Sequence, residues 1–316
     1  MKGPSLIFSL LVAVWSCSPA FAEESEQKAI LVTGASSGIG LRITEVLSEN
    51  GYFVYADARK KADLERLSAM NNVASVRLDV TVQEEIDAAV KFVTKQGRGL
   101  YGLVNNAGVA VVGPLIELDV KEVEWQFDVN VLGPYRITQA FAPLIIESKG
   151  RITTIGSISG ILSQAMMGPY SMSKHAVEAY TDSLAAEMAR FDVRVSVVEP
   201  GSYASRIMQS TMKRFSENPA MANESSAYEK EIGALTARNF DPSVGKDPKE
   251  VAQAVLHAMS SDAPKHRYMV TPNADQARVT IGGAMRELLQ LNMGQPYELS
   301  RDQLVEMMDK MLRATK

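Results

Sequence analysis

The sequence predicts an α/β fold in which a doubly wound, seven-stranded and mainly parallel sheet carries helices on both faces. Short apolar runs alternate with amphipathic stretches from residue 28 to residue 271, and this alternation is typical of a parallel sheet with right-handed crossovers. The first apolar run passes directly into a glycine-rich turn and a helix. Polar or glycine clusters follow several of the runs, and in such a sheet the ligand crevice lies where the strands end.

The first element is an apolar run at residues 28–33, the pattern of a strand that is buried on both faces. It leads into Gly34-Ala35-Ser36-Ser37-Gly38-Ile39-Gly40 and then a helix over residues 41–50. This order favours dinucleotide binding, because glycines let the backbone approach a pyrophosphate and the N–H groups at a helix start attract its charge. The spacing differs from the generic Gly-x-Gly-x2-Gly motif, so a tight turn without a ligand remains an alternative.

The next three apolar runs predict strands at residues 52–56, 73–80 and 100–104, with a helix at 83–94. The second strand is followed by Asp57 and Arg59, a position that determines which cofactor fits. An acidic residue there binds the ribose hydroxyls of NAD, whereas a basic residue accepts the 2′-phosphate of NADP. This chain has both, and the two side chains could instead pair with each other.

The second half of the chain continues the alternation. Residues 120–146 predict one long helix that contains Asn130, and a lone helix Asn is usually a bend or a satisfied core amide. Strands at 151–155 and 193–198 flank a helix at 170–190. A helix at 248–260 precedes the seventh strand at 267–271, and amphipathic helices at 281–291 and 301–312 end the chain.

Tyr170 and Lys174 stand four residues apart, so on a helix they share one face. Free tyrosine has a pKa of about 10, but a neighbouring ammonium stabilises the phenolate. The spacing can therefore produce a usable proton donor and acceptor. The same spacing is also typical of a solvated pair on a helix surface.

The composition is that of a globular protein, with 46% hydrophobic residues, 22% charged residues and a formal net charge of -4. Without long basic runs, it lacks the electrostatic signature of a nucleic-acid-binding protein. The three histidines, His175, His257 and His266, are too widely spaced to indicate a metal site. We therefore expect neither a nucleic-acid partner nor a bound metal.

Residues 1–22 are typical of a signal peptide. Lys2 precedes an apolar run at 6–15, and Ala20-Phe21-Ala22 offers a cleavage site. The run is shorter than the roughly 20 residues that span a bilayer, so we expect export, with an uncleaved membrane anchor as the alternative. The only cysteine, Cys17, lies in this segment and leaves a lipid anchor as a minor option. After cleavage, disulfides, thiolate metal sites and cysteine nucleophiles are excluded.

With these elements placed, residues 28–271 resemble the classical branch of the short-chain dehydrogenase/reductase family. The motifs stand in family order: Thr33-Gly34-x3-Gly38-Ile39-Gly40, Asp79, Asn105-Asn106-Ala107-Gly108, Asn130, Ser157, Tyr170-x3-Lys174 and Pro200-Gly201. The resemblance implies a Rossmann-type fold and an oxidoreductase that interconverts a secondary alcohol and a carbonyl by hydride transfer.

The resemblance also implies roles for four catalytic residues. Tyr170 would be the general acid in carbonyl reduction and the base in alcohol oxidation. Lys174 would lower the pKa of Tyr170 and bind the nicotinamide ribose, and Ser157 would hold the substrate oxygen. Asn130 would anchor the water that links Lys174 to solvent.

The cofactor-binding positions follow from the same motifs. They are Thr33, Gly34, Ser36, Ser37, Gly38, Ile39, Gly40, Arg59, Asp79, Val80, Asn106, Ala107, Gly108, Tyr170, Lys174, Pro200, Gly201 and Ser205. Arg59 falls where NADP-preferring members are basic, whereas Ala58 replaces the aspartate of NAD-preferring members. We therefore expect NADP(H) to be preferred, with NAD(H) possible. Ser205 stands where most relatives carry threonine and keeps the hydroxyl.

The chain divides into a catalytic domain at 28–273 and a C-terminal helical extension at 274–316. Within the domain, residues 203–241 carry Met208, Met212 and Met221 and predict a lid over an apolar small molecule, although an ordinary peripheral helix pair has a similar pattern. The extension would cover the substrate entrance or a subunit interface, and relatives suggest a homodimer or homotetramer built on the helices of Asn130 and Lys174. Export is unusual for an enzyme whose cofactor is largely cytosolic.

Two other functions can be weighed against the enzyme. A non-catalytic nucleotide sensor on this fold would not need Ser157, Tyr170 and Lys174, all of which are intact. A serine hydrolase would need a Gly-x-Ser-x-Gly elbow. The stretch Gly156-Ser157-Ile158-Ser159-Gly160 has isoleucine at the central position, so this function is excluded.

Overall fold

A computed structural model describes residues 27–217, 226–238, 241 and 245–314. The strands are β1 (Ala29–Val32), β2 (Phe53–Ala58), β3 (Val73–Arg77), β4 (Gly102–Asn105), β5 (Arg151–Ile155), β6 (Arg194–Pro200) and β7 (Arg267–Val270). They form one seven-stranded sheet in the order β3-β2-β1-β4-β5-β6-β7, and every pairing is parallel. The predicted doubly wound sheet is confirmed, and it is wholly rather than mainly parallel.

The helices are α1 (Gly38–Glu49), α2 (Lys61–Ser68), α3 (Gln83–Lys95), α4 (Val120–Phe127), α5 (Gly133–Glu147), α6 (Gly168–Met188), α7 (Ile207–Glu217), α8 (Glu229–Thr236), α9 (Lys249–Ser260), α10 (Ala274–Asn292) and α11 (Arg301–Ala314). Helices α2 and α10 differ from prediction. Helix α2 is not predicted, because it is only eight residues long and Leu67 is its only fully buried residue. Helix α10 begins earlier than predicted, where the Asn273 side chain accepts a hydrogen bond from the Gln276 N–H.

Both faces of the sheet are covered, which explains why its strands are continuous apolar runs. Ile30 and Val32 of β1 point into a core with α1 and α9, whereas Leu31 points to the opposite core with α3, α5 and α6. Strand order reverses between β1 and β4, and the loops that follow these two strands therefore diverge to opposite faces. Such a switch point opens the crevice in which open α/β sheets bind ligands.

The predicted long helix at 120–146 is interrupted. A π-helical turn at Asp128–Leu132 joins α4 to α5 and contains Asn130. The Asn130 side chain is fixed from two sides: its Oδ1 accepts from Val109 N at 2.9 Å, and its Nδ2 donates to Val109 O at 2.9 Å and to Ser173 Oγ at 3.1 Å. Widened turns of this kind are frequent at functional sites.

Two predicted segments are only partly described. Residues 1–22, predicted to be the export signal, and Met221 lie outside the described residues. The described part of the predicted lid contains α7 and α8. In the portion of the chain that the structure describes, no helix combines the length and apolar character needed to cross a bilayer.

Candidate active site

A cleft of about 1110 Å³ lies at the carboxyl ends of the central strands. Nearly all predicted site residues line it: Gly34, Ser36, Ser37, Gly38, Ile39, Gly40, Arg59, Asp79, Val80, Asn106, Ala107, Gly108, Ser157, Tyr170, Lys174, Pro200, Gly201 and Ser205. Thr33 and Asn130 are not among its lining residues and lie behind its walls. After the roles predicted for them, we name its two ends the cofactor end, around residues 34–40, and the substrate end, around residues 158–167, 207–214 and 231–235.

Residues 34–40 form a glycine cradle at the start of α1. Gly34 and Gly38 have φ angles of 66° and 55°, a conformation that disfavours any other residue. A Cβ on Gly40 would stand 2.3 Å from Gly34 O and 2.3 Å from Asn106 Nδ2. The N-cap residue Ser37 makes no side-chain hydrogen bond to the helix, so the first N–H groups of α1 are available to an anionic ligand. The cradle therefore fits a dinucleotide pyrophosphate.

Two predicted cofactor residues brace the backbone of the cradle: Thr33, which lies behind it, and Asn106, which also lines the cleft. Thr33 Oγ1 accepts from the backbone N–H groups of Asn106 and Ala107, both at 3.0 Å. The Asn106 side chain donates to Thr33 O at 2.8 Å and to Gly34 O at 3.1 Å. These bonds tie the end of β1 to the end of β4 and fix the position of the cradle.

Asp57 supports the same loop from below. Its Oδ2 accepts from Gly34 N at 2.8 Å, and the residue is only 3% exposed. Burial raises the pKa of Asp57 to about 8, although the hydrogen bond from Gly34 acts in the opposite direction. The carboxyl is thus largely protonated at neutral pH and belongs to the scaffold of the cradle.

The suggestion that Asp57 and Arg59 pair with each other is wrong. Arg59 Nη1 instead lies 3.1 Å from Asp79 Oδ2, and the Arg59 side chain is 68% exposed. Burial raises the pKa of Asp79, but hydrogen bonds from Thr81 and the contact with Arg59 outweigh it and lower the pKa. An exposed ion pair of this kind contributes little to stability, so the guanidinium can turn toward a ligand phosphate at small cost.

The predicted catalytic residues meet on the opposite wall. Ser157 follows β5, and its Oγ accepts from Ser159 N at 3.1 Å. The Ser157 side chain lies close enough to the Tyr170 hydroxyl to oppose the rise in its pKa that burial causes. Lys174 lies one turn further along α6, where its Nζ donates to Ile155 O at 2.8 Å. The Lys174 Nζ is 5.7 Å from the centre of the Tyr170 ring.

The protonation of this group differs from the expectation that Lys174 lowers the pKa of Tyr170. Burial raises the pKa of Tyr170, and the hydrogen bond with Ser157 only partly opposes it. Burial also lowers the pKa of Lys174 to about 8, against the charge of Glu178, which raises it. Both shifts have one cause, because a dry site disfavours the charged form of either group.

Asn130 is placed beside the catalytic residues but its amide is already engaged. The contacts with Val109 and Ser173 use its side-chain oxygen and nitrogen. The water that Asn130 is predicted to anchor would therefore bind the backbone of Asn130, which lies within the π-helical turn.

The substrate end is lined by side chains that sequence reasoning only partly identified. Met208 and Met212 of the predicted lid pack with Met166 and Met167 against the buried pair Val111 and Val112. The pattern gave no reason to expect Met166 and Met167, because they lie in an irregular loop between β5 and α6.

A latch between Arg214 and Glu122, which sequence reasoning missed, holds α7 against α4. Arg214 donates to Glu122 from Nε at 2.7 Å and from Nη2 at 2.9 Å. The same guanidinium stacks 3.9 Å above the Trp125 ring. The buried residues of α4 are Glu122 and Gln126, and the local sequence pattern does not indicate this contact.

Within the described ranges, no group of three His, Cys, Asp or Glu side chains is arranged to hold a metal ion. The cleft brings a hydroxyl, a phenol and an amine together beside the glycine cradle. This combination defines the class of the protein, a nicotinamide-dependent oxidoreductase with a doubly wound α/β fold.

Comparison with known proteins identifies the family. Residues 28–215 match the family described as short chain dehydrogenase. Over 247 residues the chain is 34% identical to the uncharacterized oxidoreductase YbbO of Escherichia coli K12, covering 78% of this chain and 86% of that protein. It is 32% identical to retinol dehydrogenase 7 of Rattus norvegicus over 279 residues, covering 82% of this chain and 86% of the relative.

A solved structure agrees with these sequence relatives. A short chain dehydrogenase from Burkholderia cenocepacia in complex with NADP superposes with a TM-score of 0.62 at 26% identity, covering 86% of this chain and 99% of that one. The chain therefore belongs to the short-chain dehydrogenase family and is an oxidoreductase.

Proposed function

We propose that the protein reduces a carbonyl of an apolar small molecule to a secondary alcohol, or catalyses the reverse oxidation, with NADP(H) as its preferred cofactor. The observation that carries this proposal is the placement of Ser157, Tyr170 and Lys174 in the same cleft as the glycine cradle. A cofactor whose pyrophosphate binds the cradle can extend along the cleft toward these three residues.

In this proposal the nicotinamide supplies or accepts the hydride, and the protein supplies position, charge and the proton. Tyr170 is the proton donor in reduction. Because burial raises its pKa, the phenol keeps its proton at neutral pH and is poised as an acid. Oxidation needs the phenolate, so its rate should rise with pH.

Ser157 and Lys174 support that proton transfer in different ways. Ser157 and Tyr170 both line the cleft, so both hydroxyls can contact a substrate oxygen and stabilise its developing charge. Lys174 also lines the cleft, and its Nζ is anchored by Ile155 O. A positive charge there favours the phenolate that forms as Tyr170 gives up its proton.

The preference for NADP(H) rests on Arg59. Its guanidinium lies at the edge of the cleft beside Asp79, where it can receive a 2′-phosphate by charge-assisted hydrogen bonds. Asp57, the acidic candidate for NAD, is turned away toward Gly34 N. NAD(H) would therefore bind, but more weakly.

The apolar substrate is inferred from the substrate end of the cleft. Methionine side chains on the lid and on the loop before α6 offer an adaptable apolar surface. The similarity to retinol dehydrogenase 7 is consistent with a substrate of the retinol, steroid or acyl type.

A screen of carbonyl compounds tests this function directly. Purified protein is incubated with NADPH or NADH and with ketones and aldehydes of graded size and polarity, and cofactor oxidation is followed by absorbance. We expect turnover to increase with the apolar size of the substrate and to be faster with NADPH at limiting cofactor. A preference for small polar carbonyls would overturn the substrate class, and a clear advantage for NADH would overturn the role of Arg59.

We also propose that residues 1–22 direct export and that the protein is a homodimer or homotetramer. Exposed Leu132 and Tyr135 near the start of α5 and Met172 on α6 support an oligomer built on these helices. Mass spectrometry of the mature N-terminus and light scattering of the purified protein test the two proposals. An intact Met1 in the membrane fraction would support the alternative of an anchor, and a monomer would contradict the oligomer.

A further inference from the structure

Two buried carboxyl groups lie beneath Lys174 and have no place in the reaction described above. Glu178 follows Lys174 by one turn of α6, and Glu199 lies near the end of β6. The Glu199 side chain is 1% exposed and that of Glu178 is 13% exposed. Burying two carboxylates together costs desolvation free energy unless both are hydrogen-bonded.

Arg267 satisfies only half of this pair. Its Nε donates to Glu199 Oε1 at 2.9 Å and to Glu178 Oε2 at 3.1 Å, and its Nη2 donates to Glu178 Oε2 at 3.0 Å. Glu178 Oε1 and Glu199 Oε2 are buried and receive no N–H or hydroxyl donor from another described residue. Burial and contact with the Glu178 carboxyl raise the pKa of Glu199. Carboxylates are acceptors only, so a hydrogen bond between the two side chains would require one proton.

The pair is enclosed by the same loop that carries Ser157. A Cβ on Gly156 would stand 2.9 Å from Glu178 Oε1, and one on Gly160 would stand 3.0 Å from it. These glycines bring backbone instead of side chains against the carboxyl. The loop that carries Ser157 therefore also encloses the Glu178 carboxyl.

The remaining charged neighbours extend from the pair to the surface. Arg267 Nη2 donates to Asp182 Oδ1 at 2.9 Å, and His266 Nε2 lies 2.7 Å from the same oxygen. His266 and Asp182 are partly exposed. The charged groups around the pair are thus Lys174 and Asp182 on α6 and His266 and Arg267 at β7. They connect solvent to the buried carboxyls beneath the catalytic lysine.

We propose that Glu178 and Glu199 share one proton near neutral pH and act as positioning residues that, on losing it, keep Lys174 in its ammonium form at alkaline pH. This inference rests on the proposed function, because the ammonium matters only if Lys174 assists Tyr170. It assigns to the pair a control of the pH range in which the enzyme works.

The pKa shifts of Glu199 and Lys174 have the directions that this role requires. Burial, followed by the charge of Glu178, raises the pKa of Glu199 to about 8. Burial lowers the pKa of Lys174 to about 8, and Glu178 opposes that shift. Both titrations fall in one pH range. Loss of the shared proton adds a negative charge near Lys174, which disfavours loss of the lysine proton.

Glu199→Gln tests the proposal with little change of shape, because the amide can still donate to Glu178. At pH values at which wild type holds the shared proton, the pair has the same net charge in wild type and in the variant. Their carbonyl-reductase kcat/KM should then be equal. At higher pH the variant lacks the added charge, so its alkaline limb should move to lower pH by about one unit, or roughly a tenfold loss at the highest pH. Glu187→Gln, on the exposed face of the same helix, is the matched control and should follow wild type. Superposition of the Glu199→Gln and wild-type profiles would overturn the proposal.

A second measurement does not depend on turnover. Infrared titration of protein labelled with [13C]glutamate should show a protonated glutamate band near neutral pH that disappears above about pH 8. The label separates this band from that of Asp57, and the band should persist in Glu187→Gln and be lost in Glu199→Gln. If Glu199→Gln does not fold, Glu178→Gln provides the same comparison. Absence of the band in wild type would overturn the shared proton, even in a protein with reductase activity. A protein that shows the band but has no reductase activity would contradict only the proposed function.

Discussion

At the cofactor end of the cleft the contacts are made by backbone and small residues, whereas at the substrate end they are made by long, flexible side chains. The glycine cradle is fixed at Gly34, whose N–H donates to Asp57 and whose carbonyl accepts from Asn106, and Asn106 is itself held by Thr33. The substrate end relies on methionine packing and on a few side-chain hydrogen bonds, among them the latch between Arg214 and Glu122. Several hydrogen bonds therefore fix the backbone at the cofactor end, whereas the flexible side chains at the substrate end can adapt to a ligand.

This difference indicates how each end should respond to substitution. Changes at the cofactor end should alter cofactor affinity sharply, because a rigid backbone cannot move aside. Changes at the substrate end should alter KM modestly and leave cofactor affinity unchanged. The order of the effects below follows from that contrast.

Gly40→Ala should have the largest effect. Its new methyl would stand 2.3 Å from Gly34 O, so the cradle must distort, and we expect NADPH affinity to fall more than about a hundredfold and stability by about 1–3 kcal/mol. Titration calorimetry and thermal unfolding measure both quantities. Gly282→Ala, in an open helical position with no atom within 4 Å, is the control and should be neutral or slightly stabilising. Equal cofactor affinity in Gly40→Ala and wild type would show that the cradle is not the binding site.

Asp57→Ala should follow, because it leaves Gly34 N without its acceptor. An unsatisfied buried donor costs about 1–3 kcal/mol, which corresponds to roughly thirtyfold in NADPH affinity if the cradle shifts. Asp57→Asn mimics the protonated carboxyl and should bind within about threefold of wild type. A loss of affinity as large in Asp57→Asn as in Asp57→Ala would contradict the protonated state.

The pH dependence of stability tests the same carboxyl. The pKa of Asp57 is about 8 in the folded protein and 3.8 as the ordinary value, so between these values the folded state holds the additional proton. The stability contributed by that proton is present at low pH and is lost as pH rises toward 8. Asp57→Asn lacks this loss, and its melting temperature relative to wild type should increase from pH 5 to pH 8. A constant difference across this range would show that Asp57 does not titrate there.

Arg59→Ala should affect one cofactor only. Loss of a charge-assisted bond to the 2′-phosphate corresponds to about a tenfold weaker NADPH affinity, while NADH affinity should stay within about twofold. Binding titrations with both cofactors give the ratio directly. Parallel losses for the two cofactors would assign Arg59 a structural role through Asp79.

Much of the cofactor end could be predicted from the sequence, because its signals are local. Glycines next to a buried strand specify a backbone shape, and Tyr170 and Lys174 share a helix face by spacing alone. The bracing role of Thr33 and the direction in which Asp57 turns could not be predicted, since both depend on contacts with residues that are distant in sequence.

The substrate end was less accessible to prediction for the same reason. The latch between Arg214 and Glu122 joins residues that are 92 positions apart, and a period along the chain carries no information about such a pair. The π-helical turn at Asp128–Leu132 was hidden within a continuous helical pattern. Within this turn Asn130 contacts Val109 and Ser173, which only the folded chain brings together.

Arg214→Met should have the smallest effect. It removes the ion pair with Glu122 but keeps an apolar chain over Trp125, so KM for the carbonyl should rise about threefold while NADPH affinity is unchanged. Steady-state kinetics separates the two. Lys213→Met is the control, because its only described ion pair is an exposed contact with Glu217. A fall in kcat without a change in KM would assign Arg214 a role in the chemical step.

Tyr170→Phe tests the central claim that the phenol transfers the proton within a pre-built cofactor site. The single-turnover rate of hydride transfer is measured at saturating NADPH, alongside NADPH affinity. Tyr180→Phe, on the same helix and bonded to Thr138 Oγ1 at 2.7 Å, is the matched control. We predict that Tyr170→Phe binds NADPH within about twofold of wild type and transfers hydride at least about a hundredfold more slowly. Unchanged hydride transfer in Tyr170→Phe would contradict the account.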